Sequence, residues 1–358
     1  MTSRREFLYS VSATAATSMI EPVINTAAIK SYGIAYTSFP IRSRQARETA
    51  GDSSRQGPAI PAEKFIDICQ NFGADGCQMD FSQLASTDPE YLKRIRAQLD
   101  AKGMYMEFAV RARSLENEDE VAKIAAVAQQ LGVSRLRVAC LSGRRYEDFH
   151  EMAKWKEFAE QWRKTLEKSV PFLKKYKLLV GVENHKDWLA DEHVALLKGI
   201  GSEYLGACVD FGNNVALLED PIEVAEKLAP FAVTTHLKDM AVRPYAEGFE
   251  LSEVALGEGA TPMAKIITTL RKHRSDINIC LEMITRDPLK VPYKTDHYWV
   301  TRERRDESRI RKFENTILKQ AWTKPLPSVT GLTAAQALNM EDENLRRSAT
   351  YAKQTLKL

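Results

Sequence analysis

Eight short apolar runs recur from Tyr32 onward, and a polar break and a stretch with helical periodicity follow each one. The runs are YGIAYTSF, GCQMDF, MYMEFAV, RLRVAC, LLVGVENH, YLGACVDFGNN, FAVTTHLKD and INICLEM. Runs this short and this rich in β-branched and aromatic residues read as strands buried on both faces, as in parallel sheets. The intervening stretches read as amphipathic helices. In AEKFIDICQNFG, Phe65, Ile66, Cys69 and Phe72 share one face. Further helices are expected over 89–101, closed by Gly103, over 118–131, closed by Gly132, and over 146–176, 191–200, 221–229, 262–272 and 308–322. Eight strand–helix units with short connections predict an α/β fold, a (β/α)8 TIM barrel. The competing open, doubly wound sheet would carry a Gly-rich phosphate turn after the first strand, and YTSFPIRSR has none.

Three connections after strands are long: a polar insert at 42–61 after the first strand, 241–261 after the seventh and 285–307 after the eighth. All leave the C-terminal face of the barrel, where long loops shape pockets. The barrel is expected over 31–322. A tail, 323–358, begins KPLP and ends in the amphipathic ENLRRSATYAKQTL, expected to pack on the barrel wall or a partner subunit. At the other end, residues 1–28 carry Arg4–Arg5, then Phe7 and Leu8, a weakly apolar Ala/Ser/Thr stretch and small residues at 26–28. That pattern resembles a twin-arginine signal and implies export to the periplasm or another extracytoplasmic space.

The charge balance narrows the partners. With 51 basic and 48 acidic residues, net +3, nothing draws this chain to nucleic acid or an anionic membrane. No apolar run is long enough to span a bilayer. The five cysteines, Cys69, Cys77, Cys140, Cys208 and Cys280, have no CxxC spacing and read as buried thiols. What remains is a small-molecule partner, with a homo-oligomer left open.

Four of the strands deliver chemically matched residues at their C-terminal ends: Glu183, Asp210, His236 and Glu282. Each stands alone among apolar neighbours, and a barrel brings such strand ends to one face. Three carboxylates held together in an apolar core repel one another and lose hydration, a conflict that one divalent cation resolves. Mn²⁺ is expected first, with Mg²⁺, Co²⁺, Zn²⁺ or Fe²⁺ as alternatives. Taken singly, each residue is as readily a helix cap or a hydrogen-bonded core residue; four on successive strands are not.

Around them, His185 lies two after Glu183 and Lys238 two after His236, so each shares its neighbour's face if the strand continues. Lys238 is read either as a group that polarises a carbonyl or protonates a leaving group, or as a salt-bridge partner of Asp239. Glu107 and Arg137, at the ends of strands three and four, are expected to bind substrate hydroxyls. Arg286 and His297 lie in the last long loop beside Tyr298 and Trp299, which suit either a sugar face or a packed loop.

The motifs ENH, VDFGN, HLKD and LEM resemble the xylose isomerase-like TIM barrels over about residues 31–321. That family includes sugar epimerases, inosose dehydratases, hydroxypyruvate isomerases and endonuclease IV enzymes. The resemblance implies that Glu183, Asp210, His236 and Glu282 are the metal ligands, and that Glu183 and Glu282 also exchange protons beside a carbonyl. The family's ketose 3-epimerases carry a histidine where this chain has Asn213, so Asn213 is a candidate substrate contact and ordinary ketose epimerisation is disfavoured. With only six histidines, the chain lacks the extra ligands of the trinuclear endonucleases. The implied function is a metal-dependent isomerase or epimerase acting through an enediolate on a non-phosphorylated sugar or keto-sugar. A keto-glycoside lyase, dehydratase or hydrolase on the same site, and a non-catalytic carbohydrate-binding barrel, are the alternatives.

Overall fold

The computed structural model describes residues 31–51 and 58–358; the expected signal segment, 1–28, lies outside them. Eight strands close a parallel barrel: β1 (Tyr32–Ala35), β2 (Gly76–Asp80), β3 (Tyr105–Ala109), β4 (Arg135–Val138), β5 (Leu179–Glu183), β6 (Leu205–Asp210), β7 (Ala232–Leu237) and β10 (Ile279–Leu281). They pair in chain order, and β10 closes the ring by pairing with both β7 (Cys280↔His236) and β1 (Tyr32↔Ile279). The chain is therefore a (β/α)8 TIM barrel, as its alternation predicts.

Local chemistry accounts for the wall helices. Pro89 opens α3 (Pro89–Lys102), and Gly103 closes it at φ 59°, where a residue with a Cβ would be strained. Asn117 caps α4 (Glu118–Leu131) by accepting from the Asp119 N–H. The remaining wall helices are α2 (Ala62–Asn71), α6 (Met152–Tyr176), α7 (Ala190–Ile200), α8 (Pro221–Leu228) and α9 (Met263–His273). The expected helix over 146–176 is two pieces, a single turn α5 (Arg145–Asp148) and then α6; His150 falls in the break between them, not on a helix.

The long connections differ from their expected loop form. The insert at 42–61 begins inside a ten-residue helix, α1 (Pro40–Thr49), whose sequence is too polar to announce itself by periodicity. The 241–261 connection is a hairpin, β8 (Asp239–Tyr245) and β9 (Gly248–Val254), extended by β11 (Leu289–Val291) from the last loop into a three-stranded antiparallel sheet. Val242, Phe249, Leu251 and Val291 of that sheet form a second apolar core with Tyr298, Trp299, Ile310 and Phe313. Tyr298 and Trp299 are therefore packing residues, not a sugar platform.

The expected 308–322 helix ends earlier, as α10 (Glu307–Thr316), and belongs to this second core. The tail supplies α11 (Ala334–Gln354), whose Leu345, Ala349 and Ala352 enter the barrel's main core. Its buried polar residues hold the loops of the C-terminal face. Glu341 accepts from the Ile41 N–H at 2.7 Å, Asn344 donates to Thr285 Oγ1, and Ser348 Oγ accepts from the Leu256 N–H. All five cysteines are buried and unpaired. Among the described residues, no helix is long and apolar enough to cross a membrane.

Candidate metal centre

β5 and β6 end on Glu183 and Asp210, β7 carries His236 one residue before its end, and Glu282 follows β10 with its N–H on the Leu237 carbonyl. Strand alternation turns the apolar neighbours Val182, Val209 and Leu281 into the surrounding core and these four side chains toward one another. His236 Nδ1 lies 3.5 Å from Glu183 Oε1, 3.7 Å from Asp210 Oδ2 and 3.4 Å from Glu282 Oε2. One ligand atom from each residue falls within 4.8 Å of all the others. All four side chains are buried.

The donor set suits a divalent cation. Asp210 Oδ2, His236 Nδ1 and Glu282 Oε2 are buried without a hydrogen bond, although all three belong to polar side chains aimed at one point. Buried polar atoms are rarely left so, and three together mark a place for a ligand. His236 is already oriented for it. Its Nε2 meets Gln78 Oε1 at 2.7 Å, while Gln78 Nε2 donates to Glu107 Oε2. The amide oxygen of Gln78 therefore faces the ring, Nε2 carries the hydrogen, and Nδ1 points into the cluster. Burial works against a charged imidazole, but Glu282 and Glu183 outweigh it and raise His236 to about 9. A proton must therefore leave Nδ1 before it can ligate.

Fixed cations stand against the carboxylates. The Arg137 guanidinium hydrogen-bonds Glu183 Oε2, and Asn213 Nδ2 donates to Glu183 Oε1 at 2.8 Å. Burial disfavours the Glu183 carboxylate, yet Arg137 and His236 hold it well below the usual carboxylate range. Lys238 Nζ lies 2.9 Å from Asp210 Oδ2 and 2.5 Å from Glu282 Oε2, in ion-pair range but off the hydrogen-bonding direction. The alternative pairing of Lys238 with Asp239 is not formed: Asp239 accepts the N–H groups of Met240, Gly257, Gly259 and Thr261. For Asp210, burial outweighs Lys238 and raises the carboxyl. Glu282 is held low by His236 and Lys238 against the effect of burial.

The other predicted residues divide. Arg137, Asn213 and Lys238 join the cluster. His185 lies past the end of β5, with Nδ1 2.8 Å from the Leu141 carbonyl oxygen, and burial pushes it down to about 3, so the ring is neutral. Glu107, expected to bind substrate hydroxyls, does not join the cluster, and its oxygens are taken by protein donors. It sits one layer nearer the N-terminal end of the barrel, accepting from Gln78, Thr234 and Asn278. Arg286 forks onto the buried Glu253, and His297 is an exposed ring tilted against His150, with centroids 4.8 Å apart. Sequence reasoning passed over Thr37, whose hydroxyl donates to Glu282 Oε1 at 2.7 Å, and Gln78, Lys186 and Glu253. Thr37 had a readable signal, since it lies near the C-terminal end of its apolar run, whereas Gln78 stands in the middle of GCQMDF and had none. Lys186 lies in a loop, where no periodicity marks it.

Comparison with known proteins agrees with this architecture. The 3-oxo-isoapionate decarboxylase of Pectobacterium atrosepticum is 26% identical over 233 residues, covering 64% of this chain and 80% of that protein. A D-psicose 3-epimerase from Clostridium cellulolyticum H10, solved with D-tagatose, superposes with a TM-score of 0.58 at 12% identity, over 91% of this chain and 99% of its own. A Mycobacterium smegmatis barrel solved in complex with magnesium superposes with a TM-score of 0.53 at 14% identity, over 80% and 97%. Residues 66–303 match the family described as xylose isomerase-like TIM barrel, and the chain belongs to that family.

Proposed function

We propose that the protein is a metal-dependent enzyme that forms an enediolate beside the carbonyl of a non-phosphorylated, sugar-derived substrate. Glu183, Asp210, His236 and Glu282 would hold the ion, which supplies Lewis-acid polarisation of the substrate oxygens. The observation that carries the reading is the difference between the two glutamates. Glu282 is partnered by a hydroxyl, Thr37, and an ammonium, Lys238, which can pass a proton on. Glu183 is partnered by a guanidinium and an amide, which cannot. Glu282 is therefore the acid–base group, Lys238 stabilises the developing oxyanion, and Glu183 stays an anchor.

A single proton-handling side suits isomerisation, or loss of a β-substituent or of CO₂. Epimerisation needs a second group on the opposite face. Decarboxylation, named for the Pectobacterium relative, develops negative charge on the same oxygens as proton removal does. The Arg4–Arg5 leader supports an extracytoplasmic setting, where free sugars are more available than sugar phosphates.

The test is incubation of the Mn²⁺-loaded protein in D₂O with free ketoses and keto-sugar acids, followed by NMR. Deuterium should enter on one face of the carbon beside the carbonyl. Glu282→Gln should slow this on the order of 10³-fold, a loss of about 4 kcal/mol in transition-state stabilisation. Exchange on both faces would restore the epimerase. No exchange or turnover with any compound would favour a carbohydrate-binding barrel.

A further inference from the structure

Beyond the four ligands, the chain gathers more positive charge than a neutral sugar requires. Lys186 is buried, and its ammonium donates to Asn213 Oδ1. Lys238 Nζ lies 3.2 Å from the same oxygen. Two buried ammonium groups thus share one neutral acceptor, which is the hydrogen-bond partner of Lys186, while Lys238 also lies against Asp210 Oδ2 and Glu282 Oε2. Lys186 also holds a left-handed backbone at φ 63°, a conformation that costs a residue with a Cβ and that accumulates at binding sites. Burial, Lys238 and Arg286 together push its amine down to about 8, so the site holds this charge against its preference.

The wider balance has the same sense. Around the cluster, the carboxylates Glu183, Asp210, Glu282 and Glu253 face the cations Arg137, Lys186, Lys238 and Arg286. Asp187, also buried nearby, is turned onto the N–H groups of His185 and Trp188, and burial raises it to about 7. The four carboxylates and four cations named first balance one another, so a divalent ion at the four ligands adds positive charge beside Lys186 and Lys238, which an entering anion offsets.

Resting on the enediolate reading above, we infer that the substrate is a keto-sugar acid whose carboxylate sits between the ammonium groups of Lys186 and Lys238, displacing Asn213 Oδ1 as their shared acceptor. A phosphate fits less well. Barrels of this type commonly bind phosphate through backbone N–H groups after strands seven and eight. Here the N–H groups of Gly257, Gly259 and Thr261 are taken by Asp239, and the fork of Arg286 is taken by Glu253.

The test is calorimetric titration of the Mn²⁺-loaded full chain with three probes: D-fructose, 5-keto-D-gluconate and D-fructose 6-phosphate. The keto acid should bind at least about tenfold tighter than fructose, the scale of one charge-assisted hydrogen bond. The phosphate should show no comparable gain. Lys186→Met should bring the keto acid down to the level of fructose, and Lys186→Arg should keep most of the preference. Equal binding of all three probes overturns the inference, as does tightest binding of the phosphate. An equal loss for every probe in Lys186→Met, reporting only a structural role, overturns it too. Deuterium exchange reads the reaction separately. Exchange on fructose without acid preference removes this inference alone, whereas acid preference without exchange removes the reaction and supports the anion site.

Discussion

Two layers of the same barrel each bury carboxylates, and they treat them in opposite ways. In the lower layer Glu107 is surrounded by donors from Gln78, Thr234 and Asn278. One layer higher, Asp210 Oδ2, Glu282 Oε2 and His236 Nδ1 face one another without a hydrogen bond, with the ammonium of Lys238 set against the two oxygens. The strands are the same, and in β7 the two layers are only two residues apart, at Thr234 and His236. A buried carboxylate with its own donors is structure. A buried carboxylate aimed with others at one point, its hydrogen bonds left unmade there, is held ready for a ligand, at the expense of stability.

The largest expected effect sets these layers against each other. Asp210→Asn should lower Mn²⁺ affinity by more than about 100-fold, beyond the range for an outer partner of a metal ligand. Its metal-free stability should stay within about 1 kcal/mol of the parent. The amide oxygen can still accept from the Gly212 and Asn213 N–H groups, and repulsion from Glu183 and Glu282 is relieved. Metal titration and urea unfolding of the stripped protein measure both quantities. Glu107→Ala should do the reverse and cost on the order of 3 kcal/mol, because it strands buried donors. If Asp210→Asn proves the more destabilising of the two, the distinction between the layers fails.

A further buried carboxylate sharpens the contrast through pH. Burial raises Glu341 to about 7, against two N–H donors, Ile41 and Arg42, that favour its charged form. The folded protein therefore keeps this proton at a pH where the unfolded chain has lost it. Stability should fall as pH rises from about 4.5 to about 7, by up to about 3 kcal/mol. Glu341→Gln lacks this titration, so the stability difference should move in the variant's favour across that window. A difference that is flat with pH in unfolding curves would mean that the donors, not burial, govern the group.

The smallest effect probes the joint between the layers. Gln78→Leu removes the partner of His236 Nε2 and should weaken Mn²⁺ binding by about tenfold. An unchanged affinity would mean that packing alone orients the ring.

The barrel and its four convergent residues were legible because each depends on a short-range signal, a lone polar side chain ending an apolar strand. Glu183 in GVEN and Asp210 in CVDF announce themselves in that way. The β8–β9 hairpin did not, since Arg243, Pro244 and Glu247 break its apolar alternation and its partners come from a distant loop. Lys186 was hidden for another reason. Its role follows from a backbone conformation that lysine does not advertise and from Asn213, a contact 27 residues away. Glu107 misled because a lone carboxylate in an apolar run looks the same in sequence whether its layer is open or closed; it lies in the middle of β3, and donors from Gln78, Thr234 and Asn278 decide the matter.

The grip of Glu341 on the start of α1 also bears on how the molecule is made. The bond joins residues 300 apart, and β1 waits for β10 to complete the ring. On a ribosome all four ligands emerge before α11, while the turn that presents Thr37 to Glu282 is secured only by the last part of the chain. Nascent chains and C-terminal truncations therefore carry all four candidate ligands without the finished centre, and on the proposed reading an ion would be captured only at the end of synthesis.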